Sequence, residues 1–402
     1  MPSNFYSQRA SVTLSNGKNM SGQKEIPRLS FFAPTFFCLL PPAPSSTETS
    51  QLSDNQTSAI DLATTDPTPI FEHFRGSYGT ELLTAAVAHF NVFGILADQP
   101  KSFEDLRAAL GLAERPAVVM VTALRAMGLV KKDDDGRLSL TELAAEHLAP
   151  GAAFEVSDYI GLAAMSPGVL EMAERLRTNQ PADASGDGGA AFIFRQGIKS
   201  AMDQENLARH FTLALAGRAK NVAPVLADRL PMDGVNQLLD VGGGTGIYSI
   251  AMLQKHPKLR AIVLDHAEVL KVAAEMAENY GVADRLELRE GDMFSDSLPT
   301  DCEAILLSNI LHDWDVPQCQ QLVERCAAAL PAGSRLVIHD VFLNDELDGP
   351  LPIALYSAAL FTLTEGRAYS QAEYRGWLTE AGLTPGEMLP TLIHCGVLAG
   401  GK

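Results

Sequence analysis

The chain predicts an α/β fold: a doubly wound, mainly parallel sheet over residues 231–402, preceded by a mainly helical module of winged-helix pattern over 66–153. Three observations carry this. Strand-length apolar runs alternate with helix-length periods through the last part of the chain, the signature of helices packed on both faces of a parallel sheet. A glycine-rich segment, Leu238 to Gly246, joins one such strand to one such helix. Phe71 to Leu148 shows helical periods and then two short β runs around an Asp-Gly turn at Asp135 and Gly136. Residues 154–230 between the two parts read as a helical connector.

Residues 1–65 are rich in Ser, Thr, Pro, Asn and Gln without a sustained period and are expected to be a disordered extension. The apolar stretch Phe31 to Leu40 contains Pro34 and is far shorter than the about 20 apolar residues that span a bilayer, so no membrane partner is expected. Helices are expected from Phe74 to Phe90, Val92 to Ala97, Phe103 to Leu110 and Ala117 to Met127. Ser102 caps the third with Asp105 at the capping-box position, and Pro116 opens the fourth. The last of these offers only Arg115 and Arg125 amid apolar residues, and the following wing carries Asp133, Asp134 and Asp135. Such a face suits another protein chain better than DNA, so the module is read as holding a homodimer. A net charge of −18 also repels phosphate backbones, and nucleic acid is not expected as a partner. In the connector, Phe154, Met165, Met172, Phe192, Phe194, Met202 and Phe211 read mostly as core, a minority lining a pocket, with a loop from Asn179 to Gly189.

Parallel strands are expected at Gln237 to Val241, Ala261 to Asp265, Leu286 to Glu290, Ala304 to Ser308 and Arg335 to Asp340. A closing antiparallel pair is expected at Gly386 to Leu389 and Leu392 to Ala399. Ligands of such sheets bind beyond the carboxyl ends of the strands. There the first strand ends on Asp240, and Gly242, Gly244 and Gly246 lead into an apolar helix of residues 247–255. The pattern is G-x-G-x-G; a dinucleotide fingerprint would place its third glycine at Ile247. The loop therefore reads as a nucleotide-type site without a pyrophosphate.

The other strand ends supply polar groups in register with that loop. Asp265 reads as an acceptor for ribose hydroxyls or as a cap for the next helix. Asp292 and Met293, in GDMF, offer a carboxylate for an adenine amino group and a thioether for its ring. The fourth strand runs through Ser308 into SNILHDWDVPQC, where His312 is placed as a general base and Trp314 as a flat face for adenine. Asp313 is open between cofactor contact and cap of the next helix. Asp340, ending the fifth strand, is placed to hold the imidazole tautomer, whereas His339 points to the opposite face. Cys38, Cys302, Cys319, Cys326 and Cys395 form no C-x-x-C pair and read as free thiols of a cytoplasmic protein, and no metal site is apparent.

Taken in order, LLDVGGGTG, LDHAEVL, GDMF, NILHDWD and AGSRLVIHD resemble the small-molecule O-methyltransferases of the caffeic acid, acetylserotonin and bacterial polyketide type, over about residues 70–402. The resemblance implies a Rossmann-like sheet, a winged-helix dimerisation domain, and S-adenosyl-L-methionine as cofactor. It implies cofactor contacts at Asp240, Gly242, Asp265, Asp292, Met293 and Trp314, with Gly244 and Ser308 in the same loops. His312 would act as base and Asp340 as the acid beside it. Phe211, Leu215 and Phe361 are expected on the acceptor side. Two departures bear on the acceptor. The family's G-x-E-R-T stretch aligns with GRAYS, leaving Ala368 where a second acid stands and Glu365 three residues earlier; and F-x-x-A-M becomes FTLAL, with Leu215 at the methionine position. The implied activity is methyl transfer to a small, largely apolar hydroxylated molecule. The alternatives are a relative with hydroxylase or decarboxylase chemistry and a winged-helix regulator that senses the cofactor.

Overall fold

A computed structural model of the chain describes residues 59–180 and 205–402, excepting the side chains at 205–208 and 211. The expectations for 1–58, Phe192, Phe194, Met202 and the Phe211 side chain lie outside these. Within the described part of the expected extension, Ile60 is tied down: its amide donates to Gln254 Oε1 at 3.0 Å, and its side chain packs on the sheet's helical layer.

The N-terminal module comprises α1 (Thr68–Ala88), α2 (Val92–Asp98), α3 (Phe103–Leu110), α4 (Glu114–Ala126), the hairpin β1 (Val130–Lys132) and β2 (Leu138–Leu140), and α5 (Glu142–His147). Helix α1 begins before Phe74 because Pro69 sits in its first turn with a preset φ and Asp66 Oδ1 accepts the Thr68 amide at 2.8 Å. Ser102 caps α3 as expected, accepting the Asp105 amide at 3.1 Å. Pro116 lies inside the first turn of α4 rather than before it, where its missing N–H leaves no intrahelical bond unmade. Leu82, Leu96, Leu106, Met120 and Leu124 form the module's core. The connector holds α6 (Ser157–Gly161), α7 (Pro167–Thr178) and α8 (Glu205–Arg229). Met172 is core, but Phe154 and Met165, expected inside, are exposed.

The sheet follows with β3 (Gln237–Val241), α9 (Ile247–Lys255), β4 (Arg260–Asp265), α10 (Ala267–Asn279), β5 (Leu286–Glu290), β6 (Ala304–Ser308), α11 (Val316–Ala329), β7 (Arg335–Leu343), α12 (Leu351–Leu363), β8 (Tyr369–Ser370), α13 (Gln371–Glu380), β9 (Thr384–Pro390) and β10 (Cys395–Gly401). Strand order is β5-β4-β3-β6-β7-β10-β9, with β8 on the end of β7; β9 and β10 are antiparallel and the first five strands parallel. The direction of winding reverses at β3, which places the crevice at the glycine loop. Period-two alternation divides the core: Leu238 and Leu306 face α8–α10, while Leu239 and Ile305 face α11 and α13. Strand β7 runs beyond the expected Asp340 to Leu343, because β8 and β10 pair with its last residues. Strand β10 starts later than expected because Ile393 and His394 turn at φ 57° and 59°.

Helix α12 is apolar around its whole circumference, and it is covered on both sides. It packs against α1 and α4, so that Ala358 and Phe361 complete the N-terminal core. Among the described residues no single helix is long and apolar enough to cross a membrane.

Candidate active site

The glycine loop is held open from below. Gly242, Gly244 and Gly246 adopt φ of 67°, 60° and 70°, values that side chains resist. A Cβ on Gly242 would stand 2.6 Å from Ile310 Cδ1, while one on Gly244 would project into open space. Asp265 fastens the loop: Oδ2 accepts the Gly244 amide at 2.9 Å and Oδ1 the His266 amide at 2.7 Å. Asp240 is buried beneath. Its Oδ2 accepts from Ser249 Oγ at 2.8 Å, but Oδ1 has no partner. Burial pushes this carboxyl up to about 7, against the Ser249 bond and with help from Asp265.

Beside the loop lies a cavity of about 240 Å³ lined by Gly242, Asp265, Asp292, Met293, Phe294 and Trp314. The structure thus brings together residues from three strand ends and the turn after a fourth. Phe294 meets Trp314 edge to face at 4.7 Å. Asp292 also ties its own turn, accepting from the Phe294 amide and Ser295 Oγ. Ser308 does not join the cavity lining: its Oγ is bonded to His339 Nδ1 at 2.8 Å and accepts from Asn309 Nδ2, because Ser308 and His339 are paired neighbours on adjacent strands. The open glycine approach, the unpartnered buried oxygen and the flat apolar walls fit a cationic nucleoside such as S-adenosylmethionine.

The second half of the site hangs on the same turn. After β6, Asn309 takes φ 58° and a 3-10 turn, Leu311–Asp313, carries His312 inward. His312 Nδ1 lies 2.5 Å from Asp340 Oδ1, which also accepts the Val341 amide at 2.8 Å. The ring is 4 % exposed and the carboxylate not at all. Burial opposes the imidazolium, yet Asp340 and Asp313 outweigh it and raise the His312 pKa above its ordinary value. Burial likewise acts against the Asp340 charge, but His312 holds that carboxyl below the usual range. Asp313 Oδ1 stands 3.5 Å from Nε2, and burial pushes its carboxyl up to about 6. The cap of α11 is Asp315, not Asp313. With Nδ1 donating to Asp340, Nε2 keeps the lone pair that accepts a proton.

Backbone contacts pin this turn. The Glu365 amide donates to Asp313 O at 3.2 Å, Tyr369 Oη donates to Trp314 O at 2.5 Å, and Arg115 donates from Nη1 to Thr364 O and Gly366 O. Ala368 is fully buried with its amide on Ser357 Oγ, so the second carboxylate beside His312 is Asp313, from the motif itself. Of the expected acceptor residues, Leu215 is exposed on α8, whereas Phe361 is completely buried under the Arg115 guanidinium and offers no surface to a ligand. Reading the sequence missed Phe294, Tyr356, Arg75 and Arg218. Phe294 lies inside GDMF, Arg75 and Arg218 sit on stretches read only as helical, and the segment that carries Tyr356 bears no motif. The Tyr356 ring is 5.9 Å from His312, Arg75 covers Tyr356 at 3.6 Å, and Arg218 donates to Asn309 Oδ1 at 2.7 Å. His339 keeps apart from His312, as alternation requires, and burial pushes its pKa down to about 3.

Residues 184–384 match the model of the O-methyltransferase domain. The 3-hydroxy-5-methyl-1-naphthoate 3-O-methyltransferase of Streptomyces sahachiroi is 34 % identical, over 79 % of this chain and 89 % of that protein. A family 2 O-methyltransferase from Planctomyces limnophilus, solved with apigenin, is 48 % identical with a TM-score of 0.77, covering 86 % of this chain and 98 % of that one. Human N-acetylserotonin methyltransferase, solved with S-adenosylmethionine, shares the fold at 19 % identity and a TM-score of 0.52, over 85 % of this chain and 99 % of its own. With this cavity, this glycine loop and these relatives, the chain belongs to the O-methyltransferase domain family and is an S-adenosylmethionine-dependent O-methyltransferase.

Proposed function

We propose that the enzyme methylates a hydroxyl of a small, largely apolar aromatic or polycyclic molecule, with His312 as general base, and that it works as a cytoplasmic homodimer that binds neither nucleic acid nor membrane. The observation that carries the reading is the His312–Asp340 pair at 2.5 Å, which leaves the Nε2 lone pair to accept a proton, with Asp313 Oδ1 3.5 Å away. S-adenosylmethionine, when bound, supplies an activated methyl group on a sulfonium. Asp265 would take its ribose hydroxyls, Met293 and Trp314 would hold the adenine, and Asp292 its amino group. Gly242 and Gly244 keep the approach clear, with Asp240 bracing the loop. His312 receives the acceptor's proton at Nε2, and Asp340 holds the tautomer and offsets the charge that forms. Buried Leu311 and the Trp314 ring keep water from the turn. Orientation supplies most of the rate, since aligned reactants reach effective molarities of about 10⁵ M or more.

The relatives support the acceptor class: one is named for a hydroxynaphthoate and another is solved with apigenin, both hydroxylated aromatic molecules. Among the described residues, the cysteines Cys302, Cys319, Cys326 and Cys395 are free and buried, which accords with a reducing compartment. Arg115 and Arg125, the basic residues a DNA-binding reading would need, are committed, Arg115 to Asn179, Thr364 and Gly366 and Arg125 to the Glu346 and Leu347 carbonyls and Asp348.

The test is His312→Ala. S-adenosylhomocysteine affinity by calorimetry should stay near wild type while turnover falls by about 10² to 10⁴. Because only the neutral imidazole accepts a proton, wild-type turnover should rise with pH through a midpoint above the ordinary 6.5. Full turnover in the variant would make the histidine structural.

A further inference from the structure

Among the described residues, Arg75 is a buried cation without a counter-ion. It lies on α1, is 3 % exposed, and its Nη1 has no hydrogen-bond partner. Its guanidinium carbon stands 3.6 Å over the Tyr356 ring and 5.6 Å from that of Phe71. The ionisable groups that act on it are Tyr356, Cys395 and a second cation, Arg218; burial keeps the tyrosine and the thiol protonated, so none of the three is an anion. Arg218 approaches from α8, donates to Asn309 Oδ1 and Cys395 Sγ, and leaves its buried Nε unpartnered. A cation–π contact returns less than the desolvation of a guanidinium costs. Around Arg218 the groups that favour its charge, Asp340 among them, outweigh burial, whereas burial lowers the pKa of Arg75, so Arg75 is the cation left for an anion to compensate.

The surroundings of Tyr356 are electrically polar. His312, with Asp313 and Asp340 beside it, lies 5.9 Å from the Tyr356 ring and forms a carboxylate-bearing end; Arg75, 3.6 Å over the ring, forms a cationic one, while Arg218 acts on the tyrosine and on both carboxylates. A negatively charged group is repelled at the first end and drawn to the second, whereas a hydroxyl is accepted at the first. The two ends lie within the reach of one bicyclic aromatic acid.

We propose that Arg75, assisted by Arg218, is an anion subsite for the methyl acceptor, and that the preferred acceptor is a hydroxylated aromatic carboxylate bound with its hydroxyl at His312 and its carboxylate at Arg75. A planar guanidinium matches a carboxylate in a two-pronged bond, and a single negative charge suffices to compensate Arg75. The proposal rests on the acceptor site at His312.

Binding to the protein saturated with S-adenosylhomocysteine tests it by calorimetry, with 3-hydroxy-1-naphthoate, 6-hydroxy-2-naphthoate and 2-naphthol as probes. At least one hydroxynaphthoate should bind about 10- to 100-fold more tightly than 2-naphthol, and in Arg75→Gln that ratio should collapse toward one. The variant should melt at or above the wild-type temperature, because an uncompensated buried charge has gone. Equal wild-type affinities, no binding of either acid, a ratio that survives Arg75→Gln, or a variant that melts far lower or does not fold would each overturn the subsite. Turnover is read separately. Tight binding of an acid that is never methylated leaves the subsite standing and counts against methyl transfer at His312; methylation of naphthol and acid alike does the reverse.

Discussion

Asp240 shows how a single residue can be legible in sequence while its physical state is not. Its place at the end of an apolar strand, before alternating glycines, marks it as part of a ligand loop. That its Oδ1 is buried without a partner, and its carboxyl lifted to about 7, follows only from the packing of Gly243 and Ser249 around it. The consequence has a definite sign. Between the ordinary 3.8 and about 7, the ligand-free folded state holds a proton that the unfolded chain has lost, so the group's contribution to stability is complete below the lower value and is lost as pH rises through the upper one. Asp240→Asn cannot ionise. Its melting temperature, relative to wild type and without ligand, should therefore climb from pH 4 to about 7 and level off above. A constant difference across that range would mean the carboxyl is already charged. Asp265, Asp292, Met293, Trp314 and His312 were legible for the same reason as Asp240, since chain order alone puts each at a strand end or in the turn that follows one; Asp340 was legible beside His312 although β7 runs on past it to Leu343. Arg75, Arg218 and Tyr356 were not, because they reach the site from α1, α8 and α12, and no periodicity states which distant helices meet.

At the scale of elements, the turn from Leu311 to Trp314 joins the two halves of the site, with Trp314 on the cavity and His312 on Asp340. Its position is set by the segment between α12 and β8. A Cβ on Gly366 would run into the His312 carbonyl oxygen and come within 2.6 Å of Trp314 N, and both obstacles are backbone. Gly366→Ala must therefore push the segment away from the turn, at a cost of about 1 to 3 kcal/mol, typical of overpacking. A lower melting temperature in calorimetry and a loss of turnover should appear together; wild-type values for both would show the clamp to be loose. Sequence marks most of these elements well. Short apolar runs alternating with helical periods located β3, β5 and β6 with their bounds, and Ser102 located α3. The misplaced ends of β7 and β10 are where tertiary pairing lengthens a strand or a turn shortens one. GRAYS aligned with the family's acid-bearing stretch, yet its value here is steric: Ala368 fills core, and Gly366 lets two backbones approach.

At the scale of the whole molecule, the telling feature is apolar surface exposed among the described residues. Ile70 and Phe74 on α1 are each 72 % exposed, and Tyr159, Leu162 and Met165 on or just after α6 are 78 %, 81 % and 74 % exposed. Helices α1 and α6 pack against each other, so these side chains belong to neighbouring elements. Isolated exposed apolar residues are ordinary, but a concentration on two adjoining helices is what an interface between chains requires. The apolar face that the sequence suggested for α4 is not available for this purpose: Val119, Met120, Ala123 and Leu124 are fully buried, and α4 packs on α12. If the protein is a homodimer, α1 and α6 are where the second copy would sit. Phe74→Glu combined with Leu162→Glu then provides a clean probe, since both side chains already face solvent in the single chain and their loss should leave its fold within about 1 kcal/mol of wild type. Light scattering should give twice the chain mass for the wild type and the single mass for the double variant at the same concentration, with the monomer retaining its circular dichroism. A wild type that scatters as a monomer removes the dimer altogether; a double variant that stays dimeric moves the interface to another face.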